Sequence, residues 1–195
     1  MNFLNQIKVI HRFLLAGSMS VVLAALPTYF FLRGEFAERA VTRAEQGGIA
    51  PARDIFALSR LLQQHRGLSN RLLNGNAQLA AEFAPVQRAL EQKQAAIAAY
   101  VDTEGRPETR AQWKRFLDSW TALRGKVGSK GLSAADSFAE HSALVRQSNR
   151  LLDMVFDDSG LALDPVAETY HLVIATLEVS YLAEDQAKLR GLGAG

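Results

Sequence analysis

The stretch Gln63-Gln64-His65-Arg66-Gly67-Leu68-Ser69-Asn70-Arg71 gathers hydrogen-bonding side chains around a single glycine. Arg66 and Arg71 supply permanently charged donors suited to a carboxylate or another oxyanion, and Ser69 and Asn70 add neutral donors. The surrounding pattern is helical, and glycine inside a helix costs about 1 kcal/mol relative to alanine. Gly67 therefore implies a reason in packing or in ligand binding. Two readings follow. In one, Arg66 and Arg71, helped by Ser69 and Asn70, hold a carboxylate or another oxyanion. In the other, Gly67 permits a close helix crossing and the arginines are simply solvated.

A second stretch, Asp157-Asp158-Ser159-Gly160-Leu161-Ala162-Leu163-Asp164-Pro165, runs on to Tyr170. It reads as a helix–loop–helix connection, with Gly160 closing one helix in a left-handed conformation and Asp164-Pro165 opening the next as N-cap and first residue.

Enzyme and metal chemistry find little support. His11, His65, His141 and His171 are far apart, and only Glu168, three residues before His171, gives a pair at metal-ligand spacing. Carboxylate-bridged metal sites in bundles need that pair twice plus further carboxylates, for which Asp157 and Asp158 are the evident candidates. His65 and His141 fit polar positions in a bundle seam or at a dimer face. No G-x-S-x-G, phosphate-binding loop or dinucleotide fingerprint occurs. No metal, no cofactor and no enzymatic activity is therefore expected.

The elements that position these residues are helical. Apolar residues recur at three and four: Ile55, Leu58, Leu61, Leu62, Leu68 and Leu72; then Leu79, Phe83, Val86, Leu90, Ile97 and Val101; then Trp113, Phe116, Leu117, Trp120, Leu123 and Val127; then Phe138, Leu144, Val145, Leu151, Leu152, Val155 and Phe156. Residues 166–190 continue the pattern with Tyr170, Val173, Leu177, Tyr181 and Leu189. This is the period of amphipathic helices packed on one another. Gly47, Gly48 and Pro51 predict a break before the first of them, Asn74-Gly75-Asn76 and Glu104-Gly105-Arg106-Pro107 predict reversals, and Ser133 with Asp136 predicts an N-cap. Pro85 predicts a bend or break. The expected fold is all-α: a transmembrane helix followed by an antiparallel up-and-down bundle of long helices.

Between Arg12 and Arg33 lie twenty residues without a charge, FLLAGSMSVVLAALPTYFFL. A helix of that length spans roughly 30 Å, the hydrocarbon thickness of a bilayer. A cleaved signal peptide would have a shorter apolar core and a small-residue cleavage site, whereas this run ends in Tyr29, Phe30, Phe31 and Leu32, as an interfacial aromatic belt does. Pro27 is placed to kink the helix near its far end. Lys8 and Arg12 predict that residues 1–12 are a cytoplasmic tail, that 13–33 span the membrane and that 34–195 lie outside the cytoplasm.

Of 22 Lys and Arg against 20 Asp and Glu, three positives and no acid fall within residues 1–33, leaving 19 against 20 in the body. Such a body lacks the clustered charge that nucleic acid requires. The absence of cysteine excludes disulfides, thiolate catalysis and Cys-based zinc sites.

Taken in order, Gln64-His65-Arg66-Gly67-Leu68-Ser69, Trp113 and Trp120, Ser137-Phe138 with His141, Ser159-Gly160-Leu161, Leu163-Asp164-Pro165, Tyr170, and Leu189-Arg190-Gly191-Leu192-Gly193-Ala194 resemble the sensor region of bacterial methyl-accepting chemotaxis proteins and related sensor kinases. The Arg-Gly-x-Ser element is also similar to that of nitrate- and nitrite-sensing helical domains. Where chemoreceptor relatives often carry Tyr-Tyr-Leu-Met-Asp after the Asp-Pro, this chain has Tyr170-His171-Leu172-Val173-Ile174. The resemblance implies the periplasmic, homodimeric bundle of an inner-membrane receptor, which binds a small molecule or small anion and signals by helix displacement, with Arg66, Ser69, Asn70 and His65 near the ligand or the dimer face. It further implies a second transmembrane helix and a cytoplasmic signalling module beyond residue 195, contacting cytoplasmic signalling proteins. A histidine kinase or diguanylate cyclase output is the alternative, and a metal-binding helical bundle or bundle enzyme is the reading from a different class.

Overall fold

The computed structural model describes residues 9–76, 80–163 and 167–193, and among these it contains five α-helices, one 3-10 turn and no strand. The helices are α1 (Val9–Leu73), α2 (Ala80–Thr103), α3 (Pro107–Gly128), α4 (Ala134–Ser159) and α5 (Ala167–Gly193), with the 3-10 turn at Leu161–Leu163. The chain divides into two compact units, Met1–Arg43 and Ala44–Gly195.

In the first unit α1 is long and apolar enough to cross a membrane. Its large side chains, among them Phe13, Leu23, Phe30 and Phe31, are exposed. The few polar groups in the span turn inward on the helix itself. Ser18 donates to the Leu15 carbonyl, Ser20 to that of Ala16 and Thr28 to that of Ala24. These hydroxyls therefore present no unmet hydrogen bond to an apolar solvent.

In the second unit the helices pack as the apolar periods dictate. Ile55, Leu58 and Leu62 of α1, Leu90 and Ile97 of α2, Phe116 and Leu123 of α3, and Leu144, Leu151 and Leu152 of α4 are all fully buried. Cross-helix pairs set the directions. His65 meets His141, Ser59 meets Ser148, and Gly48 meets Ser159, so α1 and α4 are antiparallel. Asp54 with Lys93 and Arg71 with Glu82 make α1 and α2 antiparallel. Along α5 the order reverses: Phe56 and Ser59 lie beside Val179 and Ser180, and Gln63 and Arg66 beside Glu184. Hence α5 runs parallel to α1, and its C-terminal end lies at the same end of the bundle as the α1–α2 turn.

Most of the expected punctuation is present. Ser133 accepts from the Asp136 N–H and caps α4, and Pro107 occupies the first turn of α3. Gly160 closes α4 in the left-handed region at φ 82°, where a side chain would be strained. One expectation fails. No break occurs at Gly47, Gly48 and Pro51, because α1 is helical from Val9 to Leu73. The local cost is met by tertiary packing: Gly48, Pro51 and Ala52 are buried, with Gly48 against Ser159 and Leu161. Of the two outcomes expected at Pro85, a bend or a break, the break does not occur, since α2 runs through that residue. Tyr181 and Leu189, which continue the apolar pattern of α5, are exposed. Asp164-Pro165 and the side chains of Leu79, Leu163, Glu168, Tyr170 and residues 190–195 lie outside the described residues, as does Lys8.

Candidate functional site

The Gln63–Arg71 stretch splits into two environments, because successive residues of a helix face different neighbours. His65 and Ser69, four residues apart, point into the bundle and are 0% exposed. Arg66, Gly67 and Asn70 line a groove on the other side.

Inside the bundle His65 is surrounded by one residue from each of three other helices. Its ring lies edge-on to Phe83 of α2 at 5.1 Å and to Trp120 of α3 at 4.9 Å, and its Nδ1 is 2.8 Å from His141 Nε2 on α4. Ser69 Oγ is 3.3 Å from the same Nδ1. His141 Nδ1 sits 2.7 Å from the Ser137 carbonyl. A carbonyl only accepts, so His141 carries its proton on Nδ1 and offers a lone pair at Nε2. His65 Nδ1–H is then the donor between the rings, and His65 Nε2 is a buried acceptor with no partner among the described residues. Burial dominates both titrations. Desolvation, aided by His141 and Arg124, lowers His65 to about 3. Desolvation lowers His141 to about 4 against the opposing Ser137 hydrogen bond. The histidines thus occupy the bundle seam.

Arg66 has a different set of partners. Its Nη1 donates to Ser142 Oγ of α4 at 2.7 Å and pairs with Glu184 Oε1 of α5 at 2.7 Å. The guanidinium carbon lies 4.6 Å from the centre of the Phe138 ring. Both charged side chains are 3% exposed. Gln63 Nε2 donates to the second Glu184 oxygen at 3.1 Å. Neither Nε nor Nη2 of Arg66 has a partner among the described residues, and the residue lines a groove of about 760 Å³ together with Arg60, Gln64, Gly67, Asn70 and Arg71. No carboxylate among the described residues lines that groove. Among the described residues a Cβ built at Gly67 meets nothing within 4 Å, so none of them makes a close helix crossing there. A second groove of about 570 Å³, between α3 and α4, holds Arg115, Arg146 and Arg150. Its arginines are exposed and Asp118 shares the lining.

Asp157 and Asp158, the carboxylates considered for a metal, serve the start of α3. Asp158 accepts from the Arg106 N–H at 3.0 Å and from Thr109 Oγ1 at 2.7 Å, and the Asp157 carbonyl accepts from the Arg106 guanidinium. They supply the N-terminal acceptors that Arg106, at the N-cap, does not. No cluster of three potential metal ligands occurs among the described residues.

Glu184, Ser142 and Arg60 are missing from the sequence reading. Glu184 had a signal: Val173, Leu177, Ser180 and Glu184 step by four, three and four along α5, which places a carboxylate on the inward face.

No curated protein and no solved structure matches the chain. The family model described as nitrate and nitrite sensing matches residues 57–195, a span that takes in the Arg66 groove, the histidine pair and α5. The chain belongs to the nitrate and nitrite sensing family.

Proposed function

We propose that the Ala44–Gly195 unit binds nitrate or nitrite in the groove floored by Arg66, and that Asn70, Arg60 and Arg71 complete the anion's surroundings. The carrying observation is a buried arginine whose Nε and Nη2 have no partner among the described residues, in a groove with two further arginines and, among those residues, no lining carboxylate. A planar oxyanion suits that edge, since guanidinium presents paired N–H groups to two coplanar oxygens. His65 and Ser69 hold the α1–α4 seam behind the groove and do not line it.

The sensor belongs to a membrane receptor anchored by α1, with the bundle on the periplasmic side of the inner membrane. It is a chemoreceptor whose ligand biases a small helix displacement; a histidine kinase or diguanylate cyclase output would use the same sensor. A homodimer is supported by Leu172, Val179, Leu182 and Leu189 of α5, exposed at steps of seven, three and seven, the spacing of a coiled-coil seam.

Thermal unfolding of the full chain in detergent, with sodium nitrate or nitrite titrated against sodium chloride at constant ionic strength, tests the reading. Nitrate at about 100 times its dissociation constant should stabilise the fold by roughly 2.7 kcal/mol. Equal responses of wild type and Arg66→Ala would remove Arg66 from the site.

A further inference from the structure

Arg66 is the groove's buried cation, yet it already holds a carboxylate. Glu184 reaches it from α5 at 2.7 Å, with both side chains 3% exposed. Gln63 fixes the other Glu184 oxygen at 3.1 Å. A carboxylate, nitrite and nitrate share one geometry of recognition, in which two oxygens on a planar centre meet paired N–H donors. Glu184 thus presents to Arg66 the same chemistry that the anion would.

We propose that Glu184 is a resident competitor for the anion, so that ligand binding at Arg66 weakens the Arg66–Glu184 tie and loosens α5 from α1. This rests on the anion reading of the groove. Arg66 Nη1 makes both existing bonds, its Nε and Nη2 have no partner among the described residues, and the residue lines the groove. An anion arriving there shares one guanidinium with Glu184, and two negative charges on one buried cation repel in a weakly screened interior. Each therefore lowers the affinity of the other, because coupling between two binding events is reciprocal. Arg60 and Arg71 favour the incoming anion. Glu184 has no second cation within ion-pair distance among the described residues. The consequence falls on the two parallel helices, α1 and α5, which this pair joins at 2.7 Å. A purely structural ion pair would show no such coupling, since its removal would alter stability and leave anion affinity where it was.

The test is nitrate binding by the full chain in detergent, measured calorimetrically for wild type, Glu184→Gln and Glu184→Asp at constant ionic strength. Glu184→Gln removes the competing charge and should tighten nitrate binding about 10-fold, within the range of ordinary allosteric couplings. Glu184→Asp keeps the charge but withdraws it from Arg66, and should tighten binding by a smaller factor. Nitrate binding of unchanged or lower affinity in both variants would overturn the proposal while leaving the anion site intact. Nitrate bound by neither wild type nor variants would overturn both. Should Glu184→Gln fail to fold, Glu184→Asp decides alone: tighter binding supports the competitor, and unchanged binding removes it.

Discussion

His65 Nδ1 donates to His141 Nε2 across 2.8 Å at the centre of the bundle, and the Ser137 carbonyl behind His141 fixes the direction of that bond. Both rings are neutral in this arrangement, and a proton added to either is penalised. A proton on His141 Nε2 would face the His65 donor. A proton on His65 Nε2 would enter a buried position with no acceptor among the described residues.

The pair therefore predicts acid lability. In the folded chain His65 is lowered to about 3 and His141 to about 4, chiefly by desolvation, whereas unfolded histidine titrates near 6.5. Below about 6.5 the unfolded chain takes up protons that the folded chain refuses, so stability is complete above that pH and falls toward pH 4. Each histidine contributes a slope of up to about 1.4 kcal/mol per pH unit. Urea unfolding of the full chain in detergent at pH 7, 6 and 5 measures this. His141→Asn should remove about half of the slope, and a slope equal to wild type would exclude the pair as its source.

Arg66 and Glu184 predict a non-additive pair of mutations. Arg66→Ala leaves a carboxylate buried without its cation and should cost about 3–5 kcal/mol. Replacing both partners by apolar residues of similar volume, Arg66→Met with Glu184→Leu, removes both buried charges and should restore stability to near wild type or above. The double variant should still fail to bind nitrate. Recovery of nitrate binding along with stability would mean that the anion sits elsewhere, and the α3–α4 groove with Arg115, Arg146 and Arg150 would be examined next.

The periodic apolar residues made the fold legible, since burial of one face per helix is what those periods encode. Four of the five soluble-region segments could be marked off by turn and cap residues such as Asn74-Gly75, Pro107, Ser133 and Gly160. The error at Gly47, Gly48 and Pro51 came from local propensity, which does not register that Ser159 and Leu161 press against Gly48 from α4 and its following turn. The candidate site was half legible. Arg66 and Asn70 announce themselves by type and clustering, but Glu184 lies 118 residues away and becomes a partner only through the packing of α5 on α1. His65 and Ser69 stand within the same nine residues as Arg66 and yet face the core, a separation set by 100° per residue and not by composition.

Gly48 predicts an intolerance that sequence alone hides. A Cβ there would overlap the Ser159 side chain and approach Leu161 Cδ1 to 3.0 Å. Alanine gains helix propensity worth about 1 kcal/mol, but overpacking a fixed neighbour costs about 1–3 kcal/mol. Ser159 is buried at the end of α4 and its Cβ cannot rotate away. Gly48→Ala should therefore lower stability by about 1 kcal/mol in urea unfolding, and Gly48→Ala combined with Ser159→Gly should recover most of it.

Gly67 predicts the opposite balance. Among the described residues a Cβ at this position meets nothing within 4 Å, and its backbone is ordinary helix. Gly67→Ala should thus stabilise the chain by about 0.5–1 kcal/mol through helix propensity and a narrower unfolded ensemble. Gly67 lines the groove beside Arg66. Bound nitrate pressed against the α1 backbone would meet the added methyl. Gly67→Ala should then raise the melting temperature while weakening nitrate binding several-fold. A variant both more stable and unimpaired in binding would place the anion away from Gly67, toward Arg60.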